Sequence, residues 1–118
     1  MVDEAQFRAR TKALALRIIK LVESLPDVMT GATIARQLMR SGTSVGANYR
    51  AACRARSTAD MIAKLKIVEE ETDETLYWLE LMVEAQLMPA ERLKSLMAET
   101  NEILAMTVAS TKTLRRRA

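Results

Sequence analysis

Ile34-Ala35-Arg36-Gln37-Leu38-Met39-Arg40-Ser41-Gly42-Thr43-Ser44-Val45-Gly46-Ala47-Asn48-Tyr49-Arg50-Ala51-Ala52 is the stretch on which the fold turns. Ile34, Leu38, Ser41, Val45, Asn48 and Ala52 step by four and three, the repeat that aligns side chains along one side of an α-helix. Its middle, Ser41-Gly42-Thr43-Ser44-Val45-Gly46, is poor helix sequence, since glycine costs about 1 kcal/mol against alanine in a helix. Two readings compete: a loop between two short helices, or one rod whose undersized side chains let a neighbour come close. The unbroken seam favours the rod.

Upstream, Phe7, Leu14, Ile18, Leu21 and Leu25 share one helical face, and Arg8, Arg10, Lys12, Arg17 and Lys20 occupy the other. Pro26 and Asp27 stop that helix, and a threonine within Thr30-Gly31-Ala32-Thr33 can cap the next. Downstream, Ser57-Thr58-Ala59-Asp60 supplies another cap. Met61, Leu65, Val68, Thr72, Leu76, Leu79 and Val83 then form a stripe that ends before Pro89. Leu93, Met97, Thr100, Leu104 and Thr107, with Leu96 and Ile103 beside them, mark a fourth helix.

The spacing therefore predicts helices at about 4–25, 33–56, 58–87 and 90–114. Short turns between them imply an all-α, up-down-up-down antiparallel four-helix bundle. Composition agrees: 49% of residues are hydrophobic but only 3% aromatic, which suits helices better than sheets. With 118 residues, the chain supports one domain over 1–118.

Chemistry is limited by what is missing. The chain has no histidine, which removes the commonest general base and every Ser-His or Cys-His nucleophile pair. Glu70 and Glu74 stand one turn apart within Glu69-Glu70-Glu71-Thr72-Asp73-Glu74, but a solvated charged face explains them better than a metal cage. Gly42 and Gly46 fit no phosphate-loop fingerprint. The sequence therefore predicts no enzyme, no cofactor and no metal. Cys53, the single cysteine, reads as a packed residue of a reducing compartment. The acidic opening Met1-Val2-Asp3-Glu4 does not read as a signal peptide, and no apolar run reaches the ~20 residues of a membrane span. A cytoplasmic, membrane-free protein is expected.

Charge is mild overall, +3, but unevenly placed. Arg36, Arg40, Arg50, Arg54 and Arg56 lie between Asp27 and Asp60 with no acid among them. From Glu69 through Glu102, ten acidic residues stand against Arg92 and Lys94. The two faces either neutralise each other and stay solvated, or join copies head to tail into a ring. Those five arginines, helped by Arg115, Arg116 and Arg117, are the predicted contacts to RNA or DNA, although basic residues also suit a helix C-terminus. Ser44 and Asn48, one turn apart near the seam, are expected to fix helix register through hydrogen bonds. Trp78 would complete the core or mark a subunit contact. One alternative takes Ile34-Ala35, Ser41-Gly42-Thr43-Ser44 and Tyr49 as the helix-turn-helix of a DNA-binding repressor. A second alternative is a purely protein-binding assembly subunit.

Leu38, Arg40, Ser41, Ser44, Val45 and Asn48, followed by Arg54, Arg56 and Ser57, carry a resemblance. So do Asp73, Glu74, Thr75, Tyr77, Trp78, Leu79 and Glu80. In this order and spacing they resemble the signature of a four-helix bundle protein family associated with intervening sequences of bacterial 23S ribosomal RNA genes. The likeness runs over roughly 14–104. Ala51-Ala52 departs from it, standing where the family has Glu-Gly. The resemblance implies a homo-oligomer, a barrel-like homopentamer in known members, with Ser41, Ser44, Asn48 and Trp78 as motif residues. Related bundles of diversity-generating retroelements imply a reverse transcriptase and nucleic acid as partners. The resemblance implies no established role for most members.

Overall fold

The computed structural model describes residues 3–117; Met1 and Val2, the start of the acidic opening, lie outside them, as does Ala118. The described residues form α1 (Glu4–Glu23), α2 (Met29–Cys53), α3 (Thr58–Glu84) and α4 (Ala90–Arg117). α2 passes through Gly42 and Gly46 unbroken. What offsets the poor propensity is proximity to α1. A Cβ on Gly42 would sit 2.9 Å from Ile18 Cγ1, and one on Gly46 would sit 3.3 Å from the Thr11 carbonyl oxygen.

The unbroken α2 also removes the helix-turn-helix alternative. No turn separates Ile34 from Tyr49, and Tyr49 points inward. Its ring stacks on Phe7 with centroids 4.1 Å apart and planes 8° from parallel, leaving Tyr49 only 5% exposed. Tyr49 thus takes the core position expected for Asn48, which is half-buried. A large ring facing α1 gains more by burial than an amide that would need partners there.

Sequential neighbours pack against one another, α4 returns only lightly to α1, and the Cα atoms of diagonal helices stay more than 8 Å apart. Side-chain pairs show the antiparallel order. Phe7 meets Tyr49 near one end of α1 and α2, whereas Gly42 meets Ile18 farther along. Arg10 bridges α1 to Glu99 at 2.6 Å and Glu102 at 3.0 Å on α4, and Arg17 reaches Ser95 at 3.1 Å. The rod measures 47 × 22 × 20 Å.

Helix ends depart from the predicted boundaries. α2 opens at Met29, four residues early, with Val28 as N-cap and no side-chain cap; the expected threonine cap is absent. Thr33 instead hydrogen-bonds back to the Met29 carbonyl at 3.2 Å. α2 ends at Cys53 rather than 56, leaving Ser57 free to cap α3 by accepting from the Asp60 N–H at 3.1 Å. α3 stops at Glu84, not 87, because Gln86 turns left-handed (φ 61) and the Leu87 N–H closes onto the Met82 carbonyl at 3.0 Å. α4 continues to Arg117.

The α3 core face also differs. Leu65, Val68, Thr72, Thr75, Leu79 and Met82 are buried, so Thr75 and Met82 replace the expected Leu76 and Val83. This face keeps a strict three-four alternation, the 3.5-residue repeat of helices packed lengthwise. The core also holds many hydroxyls, and the helices satisfy them locally. Thr72, Thr100 and Thr107 donate to the carbonyls of Val68, Leu96 and Ile103 at 2.7, 2.8 and 2.8 Å. Ser41 and Thr75 share a 3.0 Å hydrogen bond across α2 and α3.

Candidate functional site

Close packing at Gly42 and Gly46 draws α1 and α2 together, and their outer surfaces form a cleft of about 470 Å³. Its floor is made of small residues, Ala9 and Ala15 from α1 and Gly46 and Ala47 from α2, with Thr43 beside them. Its rims are basic: Arg8 and Lys12 on α1, Arg50 on α2 and Arg54 at the C-cap of α2. On each rim the two cations are four residues apart, or about 6 Å along the axis. The Phe7–Tyr49 and Thr11–Gly46 contacts bring Arg8 level with Arg50, while Lys12 and Arg54 lie about one turn away in opposite directions. All four side chains are exposed, and among the described residues none makes an ion pair.

The arginines predicted from sequence divide. Arg50 and Arg54 belong to the cleft. Arg36 is exposed but fourteen residues before Arg50, about 21 Å away along α2, and lies outside the cleft. Arg40 is already neutralised, paired with Glu71 at 3.3 Å and with Glu74. Part of the basic and acidic surfaces therefore meets inside one chain. Arg56 lies in the α2–α3 turn, where its backbone N–H donates to Asp60 at 3.2 Å. Arg115, Arg116 and Arg117 are exposed in the last turn of α4. Antiparallel packing puts that turn at the bundle end that also carries Arg54 and Arg56.

Arg8 and Lys12 were missed as site residues. Their signal was present: two cations one turn apart with alanines around them, the same pattern as Arg50 and Arg54 beside Ala47. Only the pairing of α1 with α2 shows that the two patterns face one cleft.

Ser44 and Asn48 do not fix register between helices. The Ser44 hydroxyl donates to the Arg40 carbonyl at 2.6 Å and the Asn48 amide to the Ser44 carbonyl at 2.8 Å, both within α2. The interhelical bond belongs to Ser41, with Thr75 as its partner. Trp78 packs half-buried against the core, edge-on to Tyr77 with centroids 5.0 Å apart. Its indole N–H is buried and has no acceptor among the described residues.

Beneath the cleft, burial raises the Tyr49 phenol above its ordinary range. Burial likewise raises the Cys53 thiol, assisted by Glu4, so Cys53 is held protonated. Among the described residues, no Cys, Asp or Glu group of three or more could hold a metal ion, and no helix is long and apolar enough to cross a membrane.

A family model described as 23S rRNA-intervening sequence protein matches residues 4–109. The chain belongs to that family. A crystal structure from Bacteroides thetaiotaomicron, described as a protein with unknown function from the S23 ribosomal protein family, is 34% identical. The alignment covers 92% of this chain and 97% of that one, with a TM-score of 0.86. No curated protein matches. The span matched by the 23S rRNA-intervening sequence family includes both rims of the cleft and leaves out Arg115, Arg116 and Arg117.

Proposed function

We propose that this chain is a non-catalytic, oligomeric scaffold or accessory protein whose α1–α2 cleft neutralises the phosphates of RNA or DNA. The cleft carries the reading: four exposed cations flank a floor of small residues, and no carboxylate lines it. Unpaired cations attract a polyanion chiefly through counterion release, which gives affinity without sequence information. Binding is expected to weaken steeply with salt, with a log–log slope of about −3 to −4 if all four cations are engaged. Replacing Arg50 and Arg54 by glutamine should reduce that slope by about 2. A flat salt response, or binding unchanged in Arg8→Gln/Lys12→Gln/Arg50→Gln/Arg54→Gln, refutes the reading.

Assembly is the second part of the proposal. Tyr77 stands 54% exposed on α3 beside the unpartnered indole of Trp78, and Ile67, 43% exposed, lies about 15 Å along the same helix. Such a face favours burial against another copy. A head-to-tail ring follows, a pentamer by the family resemblance. Light scattering checks it: the wild type should exceed 13.2 kDa several-fold and Tyr77→Glu should lower the mass. A monomeric wild type removes the ring. A reverse transcriptase or another protein partner would then be the remaining occupant of this face.

A further inference from the structure

We infer that the α1–α2 cleft is built for a nucleic-acid duplex, seating one sugar–phosphate ridge between its two basic rims, and not for a single strand. This rests on the polyanion reading and names its ligand. A single strand exposes its bases, and proteins that hold one supply aromatic platforms worth about 1–3 kcal/mol per base. This chain has one Phe, two Tyr and one Trp. Phe7 and Tyr49 are stacked on each other in the core. Tyr77 and Trp78 stand on α3, diagonally across the bundle from α1. None of the four lines the cleft.

Base edges find no reader there either. Thr43 is the only lining residue with a neutral polar side chain, and its hydroxyl donates to the Met39 carbonyl at 2.6 Å. What the cleft offers is concave shape and cations on both sides, staggered along its length from Arg54 through Arg50 and Arg8 to Lys12. The complementary object is convex and charged along both flanks, with its bases turned away. A duplex presents its backbone that way. Alanine and glycine on the floor leave room for the sugars, and one turn of helix on each side spaces the cations for successive phosphates.

The test uses the full chain and fluorescence anisotropy with one RNA duplex, the matching DNA duplex and each separated strand, at two salt concentrations. Both duplexes should bind at least about tenfold more tightly than any strand, since the strands gain no stacking. Ala47→Glu, which puts a carboxylate into the floor at an exposed helix position, should abolish duplex binding with an unchanged unfolding midpoint. Lys94→Gln, which removes an exposed cation of α4 outside the cleft, should leave duplex binding unaltered. Strands that bind as tightly as duplexes, with affinity still lost in Arg50→Gln/Arg54→Gln, would sink the duplex inference and leave the polyanion reading standing. If neither strands nor duplexes bind, both fall together.

Discussion

Gly42 is where one missing side chain decides the packing of two helices. An alanine Cβ would approach Ile18 Cγ1 to 2.9 Å, and Ile18 is fully buried and branched at Cβ, so it has little freedom to yield. Alanine gains about 1 kcal/mol in helix propensity but loses about 1–3 kcal/mol through overpacking. Gly42→Ala should therefore be net destabilising by about 1 kcal/mol, read from chemical denaturation. A stabilised variant would mean that α1 is free to move away. Burial also acts through the titrating groups. Cys53 and Tyr49 keep their protons in the folded state beyond the pH at which the unfolded chain releases them. Their contribution is complete below their ordinary values of 9.0 and 10.0 and is lost as pH rises past them. The unfolding midpoint should thus decline on the alkaline side, and Tyr49→Phe, which keeps the ring stack, should make the decline shallower above about pH 10.

At the scale of helices, the ends carry more information than the middles. α3 closes through a left-handed residue that is glutamine, not the usual glycine. A side chain in that conformation is strained by about 1 kcal/mol. Gln86→Gly should raise stability by about 0.5–1 kcal/mol, seen as a higher thermal midpoint with unchanged helicity. A lower midpoint would show that the Gln86 side chain is making a contact that outweighs the strain. α2 is the reverse case, since it starts without any side-chain cap. Its stability comes from packing along its length, with Leu38, Ser41 and Val45 fully buried.

For the whole molecule, the consequence of the cleft is linkage. A ligand that binds only the folded chain stabilises it by about 2.7 kcal/mol at a hundred times its dissociation constant. An RNA duplex at low salt should therefore raise the unfolding midpoint, and the rise should vanish in Arg8→Gln/Lys12→Gln/Arg50→Gln/Arg54→Gln. A rise that persists in this variant places the binding elsewhere, with Arg36 and the C-terminal arginines as the next cations to test.

By itself, the sequence determined the class and number of helices and most of the buried face, because Ile34, Leu38, Ser41 and Val45 repeat at a spacing that only a helix aligns. It also showed that α2 has an excess of cations. Tertiary structure alone decided which cations remain available. Arg40 is paired with Glu71 and Glu74 from the neighbouring helix, whereas Arg50 and Arg54 gain Arg8 and Lys12 across a cleft. It also turned Tyr49 into the core in place of Asn48, since the ring finds Phe7 only once α1 is packed alongside. Periodicity describes a helix relative to its own axis, and neither ion pairing nor a cleft exists until a second helix is placed beside it.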